Sequence, residues 1–287
     1  MYFLLVLVSY PVLHRKSIHA LEAHPESGEL NNLRTAFKIS MGISDNRGYG
    51  YIAGFHGVPS WYCWHHQTDR RTTISGPFFL PWHRAYLSYL ELHLKQNSND
   101  PTVTIPYWDW SSIKSRSEGV PRAYDEEKMP NGEENPLKTF HIQLPRLDRH
   151  TQRYPNPPSE LPTDEQVQDI IHNDHNFDDF ILDLQEIHDE VHGWFTRPGL
   201  PNGTFGDMSQ VALSSYDPIF YAHHCMIDRI WYLWQLEHGS TTGFEQLLDV
   251  PLAPFNLTIK NVIDIRGLGY DYAGDLQEVS VSVGLGD

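Results

Sequence analysis

Cysteine is scarce in this chain: Cys63 and Cys225 are the two among 287 residues. That excludes a disulfide framework and leaves room for one bridge at most. A chain of this length buries a sizeable core without disulfides, as one large domain or two small ones. Basic residues are also few. Lysine and arginine number 21 against 37 aspartates and glutamates, a formal net charge of -16. This is the wrong sign for a nucleic-acid partner or an anionic membrane surface, either of which asks for a basic patch. Small neutral or cationic molecules remain as ligands. The apolar N-terminal stretch MYFLLVLVSYPVL, residues 1–13, is too short to span a bilayer and is broken by Pro11, so no membrane insertion is expected. It could be a signal-peptide core, although no basic segment precedes it and no small-x-small site follows. Sequons at Asn202-Gly203-Thr204 and Asn256-Leu257-Thr258 add to the case for secretion over a cytoplasmic location. No internal repeat is found.

What the chain does have is histidine, 17 of them, set mostly in helical patterns. Apolar spacing predicts helices over Leu30 to Met41, over Ala85 to Leu94 behind a Pro81-Trp82-His83 entry, over Phe177 to Phe195 and over Pro218 to Leu236. Between them, Ser111 to Asp164 is rich in proline, asparagine and charge and reads as long surface loops. Val279 to Val283 alternates like a strand. The expected fold is mainly α, with long loops and little β-structure.

Three histidine sets stand out. His188-Asp189-Glu190-Val191-His192 places two imidazoles at i and i+4, on one helix face and within reach of one ion. The stretch is one residue away from the zincin motif of a zinc hydrolase, which needs Glu directly after the first histidine; here Asp189 stands there and Glu190 is rotated by about 100° around the helix. His223 and His224 are adjacent, so at most one is an obvious partner for His188 and His192, and a structural hydrogen bond is expected for the other. The third set is Phe55-His56-Gly57, Cys63-Trp64-His65-His66 and Pro81-Trp82-His83, each histidine flanked by aromatic or small residues. Two groups of neutral imidazoles suit Cu, Zn, Fe or Ni, and the lack of matched carboxylates disfavours a non-haem iron triad.

Several segments together resemble the tyrosinase family of type 3 dicopper proteins, which includes catechol oxidases and other polyphenol oxidases. Phe55-His56-Gly57, Phe79 to Leu87 with Glu91, and Pro106-Tyr107-Trp108-Asp109-Trp110 are similar to its first copper region. His188-x-x-x-His192, Gly206-Asp207-Met208, Asp217 to His224 and Asp228 to Trp231 are similar to the second. Leu268-Gly269-Tyr270-Asp271-Tyr272 resembles the closing tyrosine motif, and the likeness runs from about Arg15 to Tyr272.

The resemblance implies a four-helix bundle holding two copper ions, in a single copper-binding domain over residues 14–287 behind the apolar segment 1–13. By the family pattern His56, His65 and His83 hold the first copper, with His66 as the alternative to His65. His188, His192 and His224 hold the second, and His223 lies beside the site. The family position for the middle ligand of the first copper falls on Ile74, so Gln67 to Ser75 reads as an inserted loop. Cys63-Trp64-His65 reproduces the spacing of members with a cysteine–histidine thioether, which would involve Cys63. Arg84 would support the site from behind. Asp189 is a candidate base or gate, and Asp179, Asp183 and Glu186 are candidates for an acid that positions water. The implied reaction oxidises phenols or o-diphenols to o-quinones with O2 as co-substrate, giving water. The alternative is an O2 carrier of the molluscan haemocyanin type, whose units add a β-rich domain that shields the site. With fifteen residues after Tyr272, the expectation is the enzyme; a zinc hydrolase ranks below both.

Overall fold

The structure, a computed structural model, describes residues 16–18, 28–63, 76–174, 176–197, 199–201 and 204–273. The apolar start, His65, His66, the Gln67 to Ser75 insertion, Asn202 and the alternating segment after Val279 lie outside the described residues.

Five helices carry the fold: α1 (Gly28–Met41), α2 (Gly76–Ser98), α3 (Asp164–Asn173), α4 (Phe177–Gly193) and α5 (Ile219–His238). α2 packs against α1, α4 and α5, which makes the expected bundle, and α3 covers α4 and α5. α2 is buried at every position from Phe79 to Leu87, and Leu90 and Leu94 continue the inward face in steps of three and four residues. α5 is buried at every position from Ile219 to Asp228, as a helix enclosed by neighbours must be. α4 starts at the Asn176 side chain, which accepts from the Asp179 amide, and buries Phe177, Phe180, Ile181, Leu184, Ile187, His188 and Val191.

The expected entry of α2 at Pro81 is corrected. The helix begins at Gly76 and carries Pro81 in its interior, past the first turn, where one backbone hydrogen bond is lost. Burial of Phe79, Leu80 and Trp82 on either side keeps the segment helical. α3 was not expected; its start is the capping box of Thr163 and Gln166. The 111–164 region is mostly irregular but not confined to the surface: Tyr124, Leu137 and Ile142 are buried.

Strands are few. β1 (Lys16–Ile18) pairs in parallel with β4 (Tyr270–Tyr272), and β2 (His141–Leu144) pairs antiparallel with β3 (Leu147–His150). β4 also closes a buried polar clamp. Arg84 of α2 donates from Nε to the Asp228 carboxylate of α5 at 2.5 Å, and Tyr270 and Tyr272 donate their hydroxyls to the same carboxylate at 2.7 and 2.6 Å. The guanidinium further donates to Gln235 and to the carbonyls of Val262 and Ile263, and lies 3.6 Å from the centre of the Trp231 ring. No disulfide joins Cys63 and Cys225; both are buried thiols.

Candidate metal centre

Helical spacing on α4 brings His188 and His192 to the side facing α5. The His224 Nε2 atom lies 3.4 Å from Nε2 of His188 and 3.4 Å from Nε2 of His192. An ion bound to two such nitrogens at about 2.0–2.1 Å would subtend an angle near 110°, close to tetrahedral. The three atoms therefore fit one ion. His223 belongs to the same group, with its ring stacked on His188 at 5.2 Å and edge-on to His192 at 4.8 Å. The structural hydrogen bond expected for the second histidine of the pair is not formed: neither His223 ring nitrogen meets a partner among the described residues.

The second group is His56, Cys63 and His83, whose ligand atoms lie within 4.8 Å of one another. His56 sits in the turn after the short helical segment Tyr49–Ala53, and His83 on α2. The two groups adjoin: the His83 and His224 rings stack at 4.1 Å with an 8° tilt, and His56 lies 6.4 Å from His224 between ring centres. Phe220 packs on His224 at 4.2 Å and on His56 at 4.9 Å, while Phe79 packs on His83 at 5.0 Å and on His188 at 4.9 Å. These two phenylalanines stood in the quoted motifs with no role attached.

The outer ring nitrogens fix the tautomers. Nδ1 of His56 donates to the Val211 carbonyl at 3.0 Å, that of His83 to Phe79 at 2.8 Å and that of His192 to Met208 at 2.6 Å. A carbonyl can only accept, so each Nδ1 carries the proton and each Nε2 carries the lone pair. His188 Nδ1 meets the Asp189 carboxylate at 3.0 Å with the same consequence. Burial favours the neutral rings as well. It pushes the pKa values of His83, His223 and His224 well below the ordinary histidine value, and that of His192 to about 4. Neutral imidazoles with inward lone pairs are the state that binds a transition metal.

Asp189 lies on the outer side of the His188 ring and its side chain is 78% exposed, yet desolvation by nearby protein still raises its pKa. Glu190, Asp179, Asp183 and Glu186 are exposed on α4, and Asp179 pairs with the Asn176 amide at the helix start. His192 is partly exposed, whereas His56, His83, His188 and His224 are buried.

Residues 46–237 match the family model described as the common central domain of tyrosinase. This chain belongs to the tyrosinase family. It is 32% identical over 262 residues to a G-type hemocyanin, units Oda to Odg, of Enteroctopus dofleini, an alignment that covers 86% of this chain and 8% of the octopus protein. It is 27% identical over 298 residues to a tyrosinase of Podospora anserina, covering 72% of this chain and 51% of the other. A solved functional unit of octopus hemocyanin superposes with a TM-score of 0.69 at 26% identity, over 92% of this chain and 68% of that one. The chain thus spans a small part of the octopus protein and about half of the fungal tyrosinase. As a member of this type 3 copper family, it has two histidine clusters that fit the family's pair of copper ions and its O2. No described helix is long and apolar enough to cross a membrane.

Proposed function

We propose that this tyrosinase-family chain is a dicopper oxidase that converts o-diphenols, and phenols after hydroxylation, to o-quinones with O2 reduced to water. His188, His192 and His224 are assigned to one copper; His56, His83 and one histidine of the Cys63 to His66 stretch, His65 in first place and His66 in second, to the other. A thioether of Cys63 to His65 is part of the same proposal.

When bound, the copper pair supplies the site at which O2 takes up electrons from the diphenol. The protein's own contribution begins with the rings. Carbonyls on Nδ1 hold three of them in a single tautomer, and Phe79 and Phe220 each pack against rings of both clusters. Two diphenols give up four electrons and four protons, which with one O2 yield two quinones and two waters, so protons have to leave the phenolic oxygens. Asp189 is the carboxylate beside the second cluster, and its raised pKa suits a group that takes up a proton. In this reading it steadies His188 through Oδ1 and gates or receives protons at the exposed edge of the cluster.

The observation that carries the enzymatic reading is the partial exposure of His192 beside the exposed Asp189. In this reading a small phenol approaches the second cluster past His192, the one described histidine of the two clusters that is not buried. The alternative, a reversible O2 carrier, is favoured by the hemocyanin relatives. Copper-loaded protein assayed for catechol and tyrosine oxidation by oxygen uptake separates the two. Catechol turnover supports the oxidase, and tyrosine turnover adds the hydroxylase activity; reversible O2 binding with no turnover of either would make it a carrier. Asp189→Asn should lower monophenol more than diphenol turnover, and equal retention of both would remove Asp189 from the mechanism.

A further inference from the structure

One short segment touches both histidine clusters. The Met208 carbonyl accepts from His192 Nδ1 at 2.6 Å, and the Val211 carbonyl accepts from His56 Nδ1 at 3.0 Å. These rings belong to different clusters, yet their orienting carbonyls are three residues apart in a stretch that begins with the single 3-10 turn Asp207–Ser209. The stretch is held at both ends. At Ala212 its carbonyl accepts from the Val58 amide at 3.2 Å, next to Gly57, where a Cβ would come within 2.3 Å of the same oxygen.

At the other end, Asp207 is buried and is met by Arg149 of β3 in a two-pronged pair, Nη1 to Oδ2 and Nη2 to Oδ1, both at 2.7 Å. The Gln152 amide donates to Asp207 Oδ2 at 2.7 Å, and the Asp207 amide donates back to the Gln152 carbonyl at 2.8 Å. The β2–β3 hairpin therefore grips the residue directly before Met208. A bidentate guanidinium fixes the carboxylate in direction as well as position, which an ammonium does not.

We infer that residues 207–212 form a strap that orients one ligand imidazole in each metal site, and that Arg149 is the positioning residue that anchors it. The inference rests on the copper assignment of the two clusters. Loosening the anchor lets the Met208 carbonyl move, so the His192 ring loses its single tautomer and orientation. The second site weakens most and the first follows through Val211. Changes to partners of a ligand's outer nitrogen weaken metal binding by about 10–100-fold. For a residue one step further out, the low end, about tenfold, is expected.

The test is Cu(I) binding by wild type, Arg149→Met and Arg149→Lys, competed against a chromophoric Cu(I) chelator, with the imidazole 15N spectrum of the copper-free proteins as second readout. The control is Phe244→Leu, a core change against Phe177 and Trp231 outside the strap. Support would be two coppers per wild-type chain, about tenfold weaker binding in Arg149→Met, a smaller loss in Arg149→Lys, no loss in Phe244→Leu, and mixed His192 tautomers in Arg149→Met and to a lesser degree in Arg149→Lys, but not in Phe244→Leu. If Arg149→Met does not fold, Arg149→Lys carries the comparison. Unchanged affinity and tautomer in a folded Arg149 variant, or an equal loss in Phe244→Leu, overturns the strap. Failure of wild type to bind two coppers overturns the copper assignment instead.

Discussion

Replacing Asp228 with asparagine should unfold much of what holds α2, α5 and β4 together. The carboxylate is 3% exposed and accepts three hydrogen bonds, from Arg84, Tyr270 and Tyr272. Arg84 is fully buried, and its other partners, Gln235, Val262 and Ile263, are neutral acceptors. Asparagine keeps the shape but removes the charge and turns one accepting atom into a donor facing donors. Breaking a buried pair by removing one partner costs about 3–5 kcal/mol. Folded domains of this size have about 5–15 kcal/mol in total, so a large fraction is at stake.

Tyr272→Phe leaves the ion pair and removes one charged hydrogen bond, an expected loss of about 1.5–3 kcal/mol. Arg84→Met combined with Asp228→Leu removes both charges, and the double variant should be less destabilised than the sum of Arg84→Met and Asp228→Leu taken singly. The assay is denaturant unfolding of the copper-free protein, because bound copper would add its own linkage to stability. A change below about 1 kcal/mol for Asp228→Asn, with additive behaviour in the cycle, would refute the clamp.

His224→Ala removes the nitrogen shared by both 3.4 Å contacts and the ring stacked on His83; bound copper, measured by atomic emission, should fall from two per chain to one or none. Gly57→Ala drives a Cβ into the Ala212 backbone and should cost about 1–3 kcal/mol, read by thermal unfolding, with loss of copper from the His56 cluster. Acidification should destabilise the copper-free protein. His83, His192, His223 and His224 resist protonation when folded, His192 down to about 4, while the unfolded chain takes up protons below the ordinary value of 6.5. Stability is therefore full above that value and falls as pH drops below it, for His192 alone by about 3 kcal/mol at pH 4. A denaturation midpoint that stays flat between pH 7 and 4.5 would refute this.

Much of the bundle was legible because apolar spacing and burial agree. Leu30 to Met41, Phe177 to Phe195 and Pro218 to Leu236 each lie within two residues of α1, α4 and α5. Pro81 misled because local rules place proline at a helix entry, while burial of Phe79 and Trp82 extended α2 back to Gly76. α3 was readable from Thr163-x-x-Gln166, a capping signal that its weakly apolar continuation obscured. The His188, His192 and His224 convergence followed from helix geometry and the family resemblance. The orienting carbonyls of Met208 and Val211 did not, because any residue supplies a carbonyl and nothing in the sequence marks which one a ring will meet.

The exposure of the two clusters differs in a way that bears on how the site works. Of the four rings with an assigned tautomer, three are buried and answer to a backbone carbonyl or a carboxylate that holds them still. The fourth, His192, is the partly exposed one, and it has the shortest of these hydrogen bonds, 2.6 Å to Met208. Its partial exposure lets water compete for the outer nitrogen of that ring. A short bond to a carbonyl that is itself anchored resists this competition. The carbonyl's neighbour, Asp207, is buried and ion-paired to Arg149 on a hairpin that carries none of the proposed ligands. The least buried of these rings is thus steadied by a carbonyl whose neighbour is anchored from outside the clusters, so weakening the Asp207–Arg149 pair should affect His192 before any buried ring.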